Sequence, residues 1–153
     1  DLRVADAENL PFEDGAFDAV YSFGVLHHTP NTQRAVDEAL RMLQPGGEIM
    51  LMLYHKHSLH VWAGTPLYRF FSQKRNSSLS LVEDWVRIYD GEVNPLGKAY
   101  TKSEVRSMMS RCSSLKFTVC DPVRRRYPWA VNWVNQKILA PRLGFYLIAH
   151  GKK

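Results

Sequence analysis

The stretch RMLQPGGEIMLMLY, residues 41–54, constrains the fold more than any other part of the chain. After Glu48 every residue is apolar, with no polar alternation. A strand of that kind is covered on both faces, as in a parallel sheet flanked by helices. Upstream, NTQRAVDEALRM places Ala35, Leu40 and Met42–Leu43 at helical spacing, and Pro45-Gly46-Gly47 stops the helix. Before that helix, AFDAVYSF reads as a second short buried strand at about residues 17–23. Strand, helix and strand over residues 17–54 form a βαβ unit with a right-handed crossover, and the fold class is α/β.

The remaining residues extend this unit. LRVA, residues 2–5, reads as the tail of a strand and leads into an acidic loop, DAENLPFEDG. HSLHVWAGTPLYRFFSQKR and SLSLVEDWVRIYDG have helical patterns, broken by Pro66 and a serine-rich stretch. Thr101 with Glu104 three residues later is a capping box and starts a helix. SLKFTVCDPV and GFYLIAHGK read as closing strands, and Trp129–Leu139 as a helix between them. The 153 residues suit one domain, with a helical cap insertion at 55–97 and a basic, aromatic insertion at 122–143.

Charge divides the chain. Residues 1–54 carry nine acids and three Lys or Arg, whereas residues 55–153 carry six acids and seventeen. Solvated basic faces explain most such imbalances, and no nucleic-acid motif organises these charges, so nucleic acid is not the expected partner. Cys112 and Cys120 form neither a CxxC pair nor a disulfide framework, which fits a reducing, cytoplasmic setting. No apolar run reaches the roughly 18–20 residues of a membrane span. Arg124–Arg126 followed by Trp129 and Trp133 suits peripheral contact with a membrane surface, against the alternative of a helix docked on its own domain or on a partner subunit.

Four segments in series, DAENLPFEDGAFD, VYSFGVLHHTPN, RMLQPGGEIMLMLY and YTKSEVRSMM with GFYLIAHGKK, resemble the class I S-adenosylmethionine-dependent methyltransferases that act on small molecules. The resemblance implies a partial Rossmann-like sheet, mostly parallel with an antiparallel last strand, flanking helices and a helical cap. It implies S-adenosyl-L-methionine as cofactor and a small-molecule acceptor, including a lipid or isoprenoid. The family's glycine-rich GxGxG turn and the acid after its second strand have no counterpart here. The chain opens at Asp1 without methionine, apparently inside an element, so an N-terminally truncated domain that binds cofactor poorly by itself is expected.

Carried over residue by residue, Asp6 accepts from the adenine amine and Ala7 offers its N–H to the ring, while Ser22, Phe23 and Gly24 border the methionine end. Leu10 and Phe12 pack under the loop. Asp18 is structural. For proton removal from an acceptor, His28, Tyr54 and His55 are the candidates, with His57 beside them; all lie at strand ends. Asn94 and Tyr100 border an acceptor pocket within the cap's return. Metal ligation by the histidines is not expected: His27 and His28 point roughly 100° apart on a helical turn, and HKHSLH lacks the further acid a metal site needs. A non-catalytic methyltransferase-like module and a metal-dependent hydrolase remain the alternatives. Oligomeric state stays open.

Overall fold

The structure is a computed structural model describing residues 2–72, 78–91, 96–121 and 128–153. Its elements in chain order are β1 (Phe17–Phe23), α1 (Thr32–Met42), β2 (Leu43–His55), α2 (Thr65–Phe71), α3 (Leu81–Asp90), β3 (Ala99–Tyr100), α4 (Lys102–Met108), β4 (Ser114–Cys120), α5 (Trp129–Val134), α6 (Ala140–Leu143) and β5 (Tyr146–Lys152). A π-helical turn, His60–Gly64, precedes α2, and another, Asn135–Leu139, joins α5 to α6.

The sheet runs β1-β2-β5-β4, with β3 pairing the end of β2. β1 and β3 are parallel to β2, whereas β5 runs antiparallel to both β2 and β4. Strands 17–23, 114–120 and 146–152 and helix 32–42 match the sequence reading. The expected strand at residues 2–5 is a correction. These residues pair with no strand among those described, and Leu2 and Val4 are fully exposed, because β1 is the sheet edge on that side. β3, two residues long, escapes any periodicity argument.

β2 separates two cores. Ile49, Leu51 and Leu53 join Ala35, Val36, Ala39 and Leu40 of α1 and Val105, Met108 and Met109 at α4. Met52 and Tyr54, on the opposite face, join Val61, Trp85, Val86 and Phe145. The second face is assembled by close approach: a Cβ at Gly97 would fall 1.9 Å from a Val86 methyl, so only glycine lets the return strand pass α3. Both capping boxes are complete, Thr101 with Glu104 at α4 and Ser80 with Glu83 at α3.

α1 also fixes the loop before β1. Arg41 donates to the carbonyls of Phe12 (2.8 Å) and Leu10 (3.1 Å) and to Asp14 (2.7 Å), while Glu38 accepts from the Leu10 N–H at 2.9 Å. Its hydrogen bond from Arg41 holds Glu38 down to about 2, against a small opposing effect of burial.

Candidate active site

Tyr54, His28 and Asp90 meet at the carboxyl end of β2, each supplied by a different element. Carboxyl ends of parallel strands are where ligands bind in open α/β sheets. Tyr54 Oη donates to Asp90 Oδ1 at 2.8 Å. Burial, then this bond, pushes the Tyr54 hydroxyl well above the ordinary phenol range, so it remains a donor. His28 ends the 3-10 turn Leu26–His28, and its Nδ1 lies 2.7 Å from the Leu96 carbonyl. A carbonyl only accepts, so Nδ1 carries the hydrogen and Nε2 is the basic nitrogen. Nε2 sits 3.6 Å from Asp90 Oδ2. That oxygen is buried and has no hydrogen-bond partner among the described residues.

Asp90 is the last residue of α3, where the negative end of the helix dipole disfavours a carboxylate. The Tyr54 hydroxyl donates to it, and the imidazole of His28 beside it adds a compensating positive charge once protonated. Lys98 steadies the His28 turn through the carbonyls of Thr29 (3.0 Å) and Pro30 (2.6 Å). Around the cluster stand aromatic rings. Tyr54 stacks on Phe145 at 4.3 Å, Tyr89 Oη meets Tyr146 Oη at 2.6 Å, and Phe23 packs edge-on against Tyr146 at 5.8 Å.

His27 is fully buried, 4.1 Å by ring centroid from both His28 and Tyr54, and neither nitrogen has a hydrogen-bond partner among the described residues. Burial, aided by His28, lowers it to about 3, so the ring is neutral packing. His55 is not brought to the cluster. It follows Tyr54 onto the opposite face, is buried, and its Nδ1 is 3.1 Å from the Gly144 carbonyl. His57 is exposed, with its ring 6.1 Å from that of His55. Tyr100, on β3, packs against the aliphatic core. Asn94 and Arg124–Arg126 lie outside the described residues.

The five cofactor candidates fall in two places, Asp6 and Ala7 on the loop before β1, and Ser22, Phe23 and Gly24 at the end of β1 and the turn after it. Asp6 is exposed, with Oδ1 accepting from the Glu8 N–H at 2.9 Å, which leaves its other oxygen available to an amine. Ala7, Leu10, Phe12 and Phe17, together with Arg3, line an open and largely apolar cleft of about 660 Å³. Leu10 and Phe12 therefore border the cleft as well as supporting the loop. At the end of β1, Ser22 Oγ is buried without a partner among the described residues. Gly24 has φ +75° and donates to the Met52 carbonyl at 3.2 Å, a turn whose backbone a side chain would strain. These features fit the adenine and one wall of S-adenosylmethionine. Neither a GxGxG turn nor an acid matching the ribose position occurs in the sequence.

Asp90 was absent from the sequence reading, and so was the Glu38–Arg41 support of the Asp6 loop. The available signals were an acid closing a helix just before glycine, and an i,i+3 pair on the polar side of α1.

Parallel strands with ligand-facing loops at their carboxyl ends, closed by an antiparallel strand, define the class I S-adenosylmethionine-dependent methyltransferases, and this chain has that fold. Residues 1–51 match the family model described as a methyltransferase domain. Among curated relatives, human probable tRNA methyltransferase 9B is 40% identical over 77 residues, 48% of this chain and 15% of its own length. The ubiquinone/menaquinone biosynthesis C-methyltransferase of Chromobacterium violaceum is 41% identical over 75 residues, 48% of this chain and 29% of its own. The chain thus spans less than a third of these relatives. A putative methyltransferase of Haloferax volcanii, solved with the Trm112 activator, superposes with TM-score 0.60 at 15% identity over 98% of this chain and 60% of its own. The trans-methyltransferase CalH, solved with SAH, superposes at 0.56 and 18% identity over 98% of this chain and 35% of its own.

Proposed function

We propose that this chain forms the acceptor side and the adenine wall of an S-adenosylmethionine-dependent methyltransferase acting on a small hydrophobic acceptor of lipid or isoprenoid type. The observation that carries it is the His28–Asp90–Tyr54 cluster inside an aromatic wall at the ligand end of the sheet. The aromatic lining suits an apolar acceptor ring. Relatives named as quinone, tocopherol and phthiotriol methyltransferases match stretches of 58 to 84 residues.

When bound, the cofactor supplies an electrophilic methyl group on a sulfonium. The chain's residues contribute alignment and proton handling, which is what methyl transfer to a hydroxyl or acidic carbon requires. Nε2 of His28 takes the acceptor's proton. The resulting imidazolium faces the Asp90 carboxylate, and Tyr54 holds that carboxylate in place through its other oxygen. Gly24 and Ser22 border the neighbouring wall, and Glu38 with Arg41 holds the Asp6–Ala7 loop.

The test is methyl transfer by the full-length protein that carries this chain, assayed against quinol, phenol and lipid acceptors. His28→Gln and Asp90→Asn should each lower kcat by about 10²–10⁴-fold, with cofactor affinity retained. Unchanged kcat in both variants would overturn the base assignment. Cofactor binding without transfer to any acceptor would favour a non-catalytic module. For residues 1–153 alone, titration should show only weak cofactor binding, since neither a GxGxG turn nor a ribose-binding acid is in this sequence; micromolar affinity would refute this division of the site.

A transfer RNA acceptor is the second reading, favoured by the names of the first relatives and by the basic second half. Methylation of tRNA in the same assay, with quinols and lipids inert, would establish it.

A further inference from the structure

Two helical segments expose apolar side chains on a scale a single folded domain rarely shows without a purpose. On α2 and the π-turn before it, Phe71 is 74% exposed, and Trp62, Leu67 and Phe70 are each more than half exposed. On α5 and its continuation, Trp129 is 81% exposed, with Val131, Trp133 and Ile138 at half or more. These side chains are aliphatic as well as aromatic.

The two segments share one anchor. Asp121, almost fully buried, lies 3.4 Å from His60 Nε2 in the turn before α2. Its other oxygen accepts from Asn135 Nδ2 at 3.2 Å, and its carbonyl accepts from Gln136 Nε2 at 2.9 Å, both just after α5. It also accepts the Phe145 N–H at 2.6 Å, where β5 begins. Burial opposes ionisation of Asp121, but its hydrogen bonds from His60 and Phe145 outweigh that and hold it below the usual carboxylate range. Both segments are therefore tied to the end of the sheet that carries Tyr54 and Tyr146.

Charge selects the occupant. Residues 56–72 and 128–143 contain no aspartate or glutamate, and they carry Lys56, Arg69, Lys137 and Arg142. Lys56 and Arg69 are paired, with Glu104 and Asp84. Lys137 and Arg142 have no acidic partner among the described residues. Helical segments with interfacial tryptophans, exposed aliphatics and only positive charge match an anionic lipid surface. A face for single-stranded nucleic acid offers stacking rings beside basic residues but gains nothing from exposed leucine, valine and isoleucine.

We propose that α2 and α5 dock the protein on anionic phospholipid membranes, which holds the acceptor end of the sheet against the bilayer. A lipid-dissolved acceptor then reaches the Tyr54–Asp90 wall without crossing water. The identity of that acceptor rests on the methyl-transfer reading; the docking itself does not.

The full chain is mixed with vesicles of phosphatidylcholine alone, or containing about one-third phosphatidylglycerol, and sedimented. Binding to the anionic vesicles, weakened by salt and accompanied by a blue shift of tryptophan emission, is expected. Trp129→Ser/Trp133→Ser and Phe70→Ser/Phe71→Ser should each weaken partition at least about tenfold, while circular dichroism stays unchanged. Tyr21→Ser, at the opposite sheet edge, should leave partition unaltered and so separates surface-specific loss from general damage. The proposal is overturned by indifference to anionic vesicles, by undiminished binding of both double variants, by preference for tRNA over vesicles, or by self-association that buries the same tryptophans. Partition that persists while the full-length protein carrying this chain shows neither cofactor binding nor methyl transfer would sink the functional reading and leave the docking intact.

Discussion

The two faces of β2 are built from different materials. One is largely aliphatic: Leu51 and Leu53 lie against α1 and α4, with Tyr100 and Cys112 packed on that cluster from partly buried positions. The other is aromatic and polar: Tyr54 touches His27, His28 and Asp90 and packs in one cluster with Trp85 and Phe145. The first resists change through packing alone. The second holds groups that are costly to bury, namely a carboxylate oxygen and an imidazole that find no hydrogen-bond partner among the described residues. Such costs accumulate where a ligand or a proton is to be received, so the difference separates the face that holds the fold from the face on which the proposed chemistry rests.

Three measurements bear on that contrast. The largest effect is expected from Leu51→Ala, a fully buried truncation in the aliphatic core, which should lower unfolding free energy by about 2–5 kcal/mol in denaturant titrations. That loss should be the same at pH 7 and pH 5. A strongly pH-dependent loss would mean that the two faces are not independent.

The second concerns His27. Its folded-state value of about 3 lies below that of an ordinary histidine, so between about pH 6.5 and 3 the unfolded chain binds the extra proton. Stability is complete above that window and falls with acidification, by about 1.4 kcal/mol per pH unit, or about 2 kcal/mol from pH 6.5 to 5. His27→Phe should remove most of this slope, with His55, lowered in the same direction by burial, leaving a remainder. An unchanged slope in the variant would show that His27 is solvated.

The smallest effect is that of Tyr54→Phe. It removes the bond to Asp90 and should cost about 1 kcal/mol in stability, with its main consequence in kcat. A loss as large as that of Leu51→Ala would make Tyr54 a core residue and not part of the site.

What could be read from sequence was local. α1 and α4, the limits of β4 and β5, and the Thr101–Glu104 box are set within a few neighbouring residues. The Ser80–Glu83 box is equally local and opens α3 in the same way. The Tyr54–Asp90 bond is of another kind: 36 residues separate its partners, and no periodicity records that contact. His28 and Tyr54 stood out as polar residues at strand ends. Asp90 could not be distinguished from any surface acid until α3 folded back over β2. His55 shows the reverse failure, since adjacency to Tyr54 in sequence places it on the opposite side of the sheet.

That last point has a consequence for how this chain tolerates change. Because neighbours along β2 serve opposite purposes, substitutions sort by parity. The 49, 51, 53 series drifts only among residues of similar volume, while 52 and 54, on the face of the proposed site, can change without disturbing that core. A one-residue insertion in β2 would be a different matter, exchanging the two series at a stroke and putting Tyr54's hydroxyl where a methyl group belongs. In this strand, diversification by substitution is open, and diversification by changes in length is closed.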